Sequence, residues 1–207
     1  DIMLAEDLHD HPEESMTPMT EQLYKNMGSR QAKAHDYRNF LKRCSSQFPY
    51  TIFVAGNHEF YHGKWFQTLE TLSNECAKFP NVYFMENGCK QIDDVTFVGA
   101  TLWTDMNKRD PLTLASMQNY MNDYRAITYH YPQYNAYHKM RPMDTVKMHY
   151  ESRRYIEETV KAHPDKTVVV ITHMGPSHES INRKYAGELS NGAYVSDLDR
   201  KSTRLNS

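Results

Sequence analysis

The chain has 207 residues, of which 39% are hydrophobic, 24% are charged and 12% are aromatic, and its formal net charge is −2. This length allows one domain with a sizeable core, and the aromatic content excludes an intrinsically disordered chain. The near balance of acidic and basic residues excludes a general nucleic-acid coat protein, which needs a surface field of one sign. No apolar run approaches the roughly 20 residues of a membrane helix, so we expect a soluble protein without a membrane partner.

The cysteines are irregularly spaced and form no CxxC pair. They are Cys44, Cys76 and Cys89. This pattern supports neither a disulfide framework nor a zinc knuckle, and it predicts reduced thiols in a cytoplasmic setting.

Both ends of the chain are unusual for a whole domain. Asp1 opens a stretch that is typical of the end of a strand, and the last residues are polar and aperiodic. We expect a fragment, truncated at both ends, with one domain over 1–199 and a non-native or disordered tail over 200–207.

Hydrophobic periodicity predicts helices and strands in alternation through the first half of the chain. The predicted helices cover 20–47 and 65–76. A buried apolar strand is predicted over 50–55, and three short strands over 82–85, 89–92 and 95–103.

The second half continues the alternation. The predicted order is a helix over 111–125, an irregular tyrosine-rich segment over 130–142, a helix over 144–162 and an apolar strand over 167–172. In the later helix, Val146, Tyr150, Ile156 and Val160 are expected to face inward and Ser152 to be partly exposed. The whole pattern indicates an α/β protein with a partly parallel sheet and an antiparallel patch in its middle.

Two of the apolar strands end at side chains that bind metals. Asn57 follows the strand at 50–55, and His173 follows the strand at 167–172. Ligands bind beyond the carboxyl ends of strands in open α/β sheets, so we expect both side chains at one edge if the strands run parallel. Asp1 would emerge at the same edge from the end of its own strand.

Asp, Asn and His together offer a carboxylate, a neutral carbonyl oxygen and an imidazole nitrogen. Manganese, iron or zinc accepts this mixture better than calcium does. A carboxylate can also bridge two cations, which points to a hydrolytic site with two metal ions.

Several segments resemble the calcineurin-like metallophosphoesterase superfamily, particularly its small bacterial and phage-type members. GNHE at 56–59, placed after a buried strand, resembles the central motif, and ITHMGPSHES at 171–180 resembles the later strand–His segment. ATLWTDMN and MNDYRAI resemble intermediate segments. The resemblance implies a four-layer α/β/β/α sandwich, here truncated at both ends.

The resemblance also implies roles for individual residues. Asp1 would bridge two divalent metal ions, with manganese expected and iron or zinc as alternatives. Asn57 and His173 would bind one of these ions, and His58 would act as the catalytic residue at the leaving oxygen. The implied activity is hydrolysis of a phosphomonoester or phosphodiester by a hydroxide that the two metals activate, without a covalent intermediate.

Two motifs of the superfamily are missing from the chain. Asp-x-His would precede Asp1, and Gly-His-x-His would follow residue 200. We therefore assign the activity to the intact parent protein and expect the fragment itself to hold two metals poorly.

Other interpretations stay open at this point. The chain could be a non-catalytic interaction module, or it could be a mononuclear metal-binding protein that uses Asn57, His173 and one loop histidine such as His178. GNHE could be a simple turn, and His173 could cap its strand. Asp105 and Asp123 match the superfamily without an assignable role. The substrate and the oligomeric state are undetermined, and a nucleic acid enters only as a substrate.

Overall fold

The computed structural model describes residues 29–131 and 135–198. Three predictions concern residues outside these ranges, namely those for Asp1, 20–28 and 200–207. Within the described ranges the chain is mixed α/β, with helices and small sheets. It forms two compact units, which are described separately below.

The first unit contains described residues 29–53 and 72–84. Its elements are helix α1 (Ser29–Gln47), strand β1 (Thr51–Phe53), the end of helix α2 (Trp65–Cys76) and strand β2 (Val82–Phe84). Strands β1 and β2 are parallel, with Thr51 opposite Val82. The described part of the predicted helix over 20–47 is confirmed.

Aromatic packing and an ion pair with two hydrogen bonds link the elements of this first unit. The ring of Tyr37 meets that of Phe53 edge-on at 5.8 Å between centroids, and Phe53 contacts Phe84 at 5.7 Å. The guanidinium of Arg38 donates two hydrogen bonds to the carboxylate of Glu75, at 2.9 and 2.8 Å.

The second unit contains residues 54–71 and the described residues from 85 onward. Its three-stranded sheet has the order β3 (Gly88–Ile92), β4 (Val95–Ala100), β7 (Thr167–Thr172). Strand β4 pairs antiparallel with β3 and parallel with β7. The partly parallel sheet with an antiparallel neighbour is thus confirmed for this unit.

The remaining regular elements of the second unit lie between β4 and β7. They are the helical turn α3 (Met106–Arg109), helices α4 (Pro111–Tyr120) and α5 (Asp123–Ala126), strands β5 (Thr128–Tyr131) and β6 (Ala136–Lys139), and helix α6 (Pro142–Ala162). Short 3-10 turns follow β7 at His178–Ser180, Arg183–Tyr185 and Leu189–Ala193.

Three large aromatic residues pack beneath the GNHE segment. Phe60, which is fully buried, stacks on Trp65 at 3.9 Å between ring centroids. Trp103 lies 5.7 Å from Trp65 and 6.4 Å from Phe60. Because Phe60 ends the 3-10 turn His58–Phe60, this packing anchors the turn that carries the candidate site.

The segment over 130–142 is not irregular as predicted. Strands β5 and β6 form an antiparallel hairpin in which Thr128 lies opposite Lys139. Buried Tyr129 lies between less buried neighbours, which is the alternation of a strand, and Asn135 takes the positive φ of 46° that a tight turn needs. Tyr131 and Tyr137, which were predicted to lie in an irregular segment, are therefore strand residues.

The predicted helix over 111–125 is also wrong, because it is two helices. Met121 adopts an extended conformation with φ −80° and ψ 134°, and it separates α4 from α5. Its side chain is buried, so tertiary packing outweighs the helical preference of the local sequence.

Helix α6 begins two residues earlier than predicted, and of the residues expected to face inward Val146 and Ile156 are buried whereas the other two are not. Tyr150 and Val160 are 39% and 41% exposed, whereas Ser152 is fully buried. Buried residues recur every three or four positions along this helix, and they include polar as well as apolar side chains. Its members include Val146, His149, Ser152, Ile156 and Thr159.

Strand β4 ends at Ala100, three residues short of the prediction. Leu102 and Trp103 have φ of 71° and 47°, which a strand cannot contain. Positive φ values recur in the turn α3, which is therefore left-handed.

The described residues bear on two further predictions. All three cysteines are free, as predicted, with Cys44 and Cys76 buried and Cys89 exposed. None of the helices in the described ranges is both long and apolar enough to cross a membrane.

Candidate functional site

The GNHE segment forms a tight polar turn that folds back on itself. Glu59 reaches back through its carboxylate, which accepts a hydrogen bond of 2.6 Å from the backbone N–H of Gly56. The hydroxyl of Thr101 donates to the carbonyl of Ala55 at 2.8 Å and so fixes the residue before the turn. Asn57 begins the 3-10 turn, and its side chain stays available for other contacts.

His173 follows strand β7 in a loop that is tied to two other segments. The backbone N–H of Met174 donates to the carbonyl of Thr101 at 3.2 Å, and that of Gly175 donates to Tyr194 at 2.9 Å. The imidazole of His173 lies directly against Gly56: a Cβ added there would lie 2.7 Å from Cε1 of the ring. Only glycine at position 56 allows this approach.

The structure brings Asn57 and His173 together. Oδ1 of Asn57 lies 3.1 Å from Nε2 of His173. Among the described residues, β1 pairs with β2 and β7 pairs with β4, so the expected edge of one parallel sheet is not what carries the contact. The two side chains instead meet through the turn after Ala55 and the loop after β7.

His58, the predicted catalytic residue, directly follows Asn57 in the sequence, and its side chain is exposed. Its ring lies 4.6 Å from that of Tyr61, at an interplanar angle of 49°. An exposed imidazole next to a candidate metal ligand is accessible to a substrate. Asp1, the predicted bridging ligand, falls outside the described residues.

Asp123 contacts the candidate site, although it could be assigned no role from the sequence. It is the first residue of α5, it is 1% exposed, and its Oδ1 accepts a hydrogen bond of 2.7 Å from Nδ2 of Asn57. The pKa of Tyr61 is raised, first by burial and then by a hydrogen bond to Asp123, so its phenol is a donor at neutral pH. An acidic residue in the first turn of a helix is common, so nothing in the sequence distinguishes Asp123 from an ordinary acid at a helix start.

A buried carboxyl group supports the loop after β4 from the other side. Oε2 of Glu86 lies 2.9 Å from the backbone N of Thr101 and 2.6 Å from its hydroxyl oxygen. The hydroxyl of Thr101 donates to this carboxyl oxygen. Burial raises the pKa of Glu86 and outweighs the hydrogen bonds from Thr101, which lower it.

Asp105, which also matches the superfamily, has a structural place. Its Oδ1 accepts from the backbone N–H of Lys108 at 3.0 Å, and its own N–H donates to the hydroxyl of Ser196 at 2.9 Å. These bonds hold the turn α3. His62 and His178 are both exposed.

Two side chains of metal-binding type meet in the described part of the chain. Asn57 and His173 offer a carbonyl oxygen and an imidazole nitrogen, 3.1 Å apart, which is a hydrogen-bond distance. Among the described residues, no group of three or more His, Cys, Asp and Glu side chains is placed to hold a metal ion.

Comparison with known proteins gives one informative relative. The chain is 27% identical, over 175 residues, to an uncharacterized protein of Acanthamoeba polyphaga mimivirus. The match covers 79% of this chain and 60% of the viral protein, so the chain spans well under the full length of that relative. No family model matches the chain. No solved structure matches it either.

Proposed function

We propose that the chain is part of a metal-dependent phosphoesterase of the calcineurin-like type, which hydrolyses a phosphomonoester or phosphodiester. The observation that carries this proposal is the approach of Asn57 Oδ1 to His173 Nε2, with His58 exposed beside them. The four-layer α/β/β/α sandwich implied by the sequence resemblance is part of the proposal. Because the match covers 60% of the viral relative, the activity is proposed for the whole protein.

Each side chain has a distinct task in this proposal. Asn57 and His173 would hold one divalent ion through Oδ1 and Nε2, and Asp1 would bridge it to a second. Bound ions, with manganese as the expected metal, would supply Lewis-acid polarisation of water and of the phosphoryl oxygens. Gly56 admits the imidazole of His173 to within contact of the backbone and thereby fixes the spacing of the pair.

His58 would complete the reaction at the leaving group. As water attacks phosphorus in line, the bond to the ester oxygen breaks, and that oxygen needs a proton or a hydrogen bond as charge develops. The ring of His58 is exposed and packs against that of Tyr61. A proton donated by the imidazole would neutralise the leaving oxygen, which departs as an alcohol. The attacking water would release a proton to solvent.

The test combines metal content with hydrolysis. The wild-type chain and the variants Asn57→Ala and His173→Ala are loaded with Mn²⁺, desalted and analysed for manganese per chain. The same proteins are assayed with p-nitrophenyl phosphate and bis-p-nitrophenyl phosphate, which separate monoesterase from diesterase activity. The longer gene product is assayed in parallel, because this chain lacks two motifs of the superfamily.

Asn81→Ala is the matched control. Nδ2 of Asn81 donates to the carbonyls of Ser45 and Phe48, within the first compact unit. Its loss is expected to lower stability and to leave manganese content and hydrolysis unchanged. We expect Asn57→Ala to abolish hydrolysis by the longer product, and retained hydrolysis would overturn the mechanism.

The alternatives predict different results in the same experiment. A mononuclear metal-binding protein would hold one manganese per chain and hydrolyse neither ester. A non-catalytic module would hold none, and its longer gene product would lack Asp-x-His and Gly-His-x-His.

A further inference from the structure

We infer that Asp123 is a positioning residue that holds the carboxamide of Asn57 with its oxygen toward His173. This inference rests on the proposed function for its consequence in metal binding. Its structural part, the orientation of Asn57, can be tested without a metal.

The contacts around Asp123 give it this capacity. Its carboxylate is 1% exposed and accepts from Asn57 Nδ2 at 2.7 Å, a distance typical of a strong charge-assisted hydrogen bond. The phenol of Tyr61 lies beside the same pair, with hydrogen bonds to Asp123 and to Asn57. The short helix α5, in which Asp123 is the first residue, is held in turn by a bond from the N–H of His62 to the carbonyl of Ala126, 2.9 Å long.

The reverse orientation of Asn57 is strongly disfavoured by Asp123. A flipped carboxamide would place its oxygen against a buried carboxylate, where two acceptors face each other without a proton between them. It would also turn its NH₂ group toward His173, and an amide nitrogen does not bind a divalent ion. Because carboxamide oxygen and nitrogen differ little in shape, packing alone does not select between the two orientations. The carboxylate makes the selection.

The effect on a metal would follow from orientation and from charge. Groups that orient a metal ligand typically change metal affinity by about 10–100-fold when they are removed. The negative charge of Asp123 also polarises the carboxamide of Asn57, which makes its oxygen a stronger donor to a cation. Asp123 thus acts on the metal through Asn57 and not by direct contact.

The experiment compares Asp123→Ala and Asp123→Asn with the wild-type chain. The first readout is the ¹⁵N heteronuclear NOE of the Asn57 side-chain amide in metal-free protein, which reports whether that group is ordered. The second is the Mn²⁺ dissociation constant from calorimetric titration. We expect the NOE to fall in Asp123→Ala and the dissociation constant to rise by about 10–100-fold. Asp123→Asn keeps the volume and one acceptor oxygen, so both values should lie between wild type and Asp123→Ala.

Asp144 provides the matched control. It is 2% exposed, like Asp123, and its Oδ2 accepts from the backbone N–H of Arg141 at 2.9 Å at the start of α6. Asp144→Ala and Asp144→Asn should lower the melting temperature without changing the Asn57 amide or manganese binding. These controls separate a loss of positioning from a general loss of stability.

The possible outcomes can be told apart. An unchanged Asn57 amide in Asp123→Ala, with manganese affinity within about twofold of wild type, would overturn the inference and leave the proposed function intact. If the wild-type chain binds no manganese, the proposed metal site is rejected for this chain. The NOE of the Asn57 side-chain amide then tests by itself whether Asp123 orients Asn57. If Asp123→Ala does not fold, Asp123→Asn decides by the same readouts, and wild-type values there would refute the positioning role.

Discussion

The ring of His173 is held by the GNHE turn from two sides. Oδ1 of Asn57 lies 3.1 Å from Nε2, and the backbone of Gly56 lies so close that an added Cβ would come within 2.8 Å of Nδ1. The two segments are separated by 116 positions in the chain. The contact therefore fixes the two parts of the site with respect to each other.

The first prediction concerns Gly56→Ala. Its Cβ would lie 2.7 Å from Cε1 of His173 and 3.0 Å from Oε2 of Glu59, so the imidazole must move. We expect the Mn²⁺ dissociation constant to rise by about 10-fold or more, because a displaced ligand loses most of its bonding geometry. Gly88→Ala is the control, since a Cβ there meets only Met85, at 3.7 Å or beyond. Equal manganese affinity in both variants would contradict the geometry described for His173.

The sequence was sufficient to predict that Asn57 and His173 lie together, and it did not predict the other side chains of the candidate site. Asn57 and His173 could be recognised because each follows an apolar strand, where a polar side chain with metal-binding chemistry is unusual. Asp123 could not, because an acid that opens a helix is ordinary capping chemistry. Nothing in the sequence pointed to Tyr61, because its contact is with Asp123, which lies 62 positions away in the chain.

The same contrast holds for the fold. Long periodic segments such as α6 and β7 were predicted to within two residues. The left-handed backbone at Met106–Arg109 could not be anticipated, because none of its residues is glycine. The hairpin β5–β6 was missed because its tyrosines and histidines resemble the composition of a loop. The alternation of buried and less buried side chains that marks a strand is visible only in the structure.

The second prediction separates His58 from the metal ligands. His58→Gln should leave manganese binding unchanged and lower kcat by about 100-fold or more, because it removes the proton donor at the leaving oxygen. The loss should be greater for an alkyl phosphoester than for a p-nitrophenyl ester, whose leaving group needs less protonation. His62→Gln, an exposed histidine four residues later, is the control and should change neither value. An equal loss for both classes of ester would argue against general-acid catalysis by His58.

The third prediction tests the left-handed turn α3. Lys108 is exposed and has φ 60° and ψ 41°, a conformation that costs a non-glycine residue about 1 kcal/mol. Lys108→Gly keeps the backbone bond to Asp105 and should raise the free energy of unfolding by about 1 kcal/mol. The same change at Lys147, exposed in the middle of α6, should lower it by about 1 kcal/mol. Urea denaturation measures both, and two changes of the same sign would refute the left-handed conformation.

The fourth prediction concerns acid stability of the first compact unit. Hydrogen bonds from Arg38, opposed by some desolvation and aided by Lys78, lower the pKa of Glu75 to about 2. Because the pKa is lower in the folded state than its ordinary value of 4.5, the carboxylate stabilises the fold above that value. This contribution is lost as the pH falls from the ordinary pKa toward about 2.

The measurement is the difference in free energy of unfolding between wild type and Glu75→Gln across this range. We expect the difference to be largest near neutral pH and to shrink steadily below about pH 4.5. It should also fall with added salt, since the side chain of Arg38 is 56% exposed and the pair is open to screening. In an Arg38→Ala background the pH dependence should be much weaker, because only Lys78 then remains beside the carboxylate. A difference that stays constant from neutral pH to about pH 2.5 would show that the ion pair does not lower the pKa of Glu75.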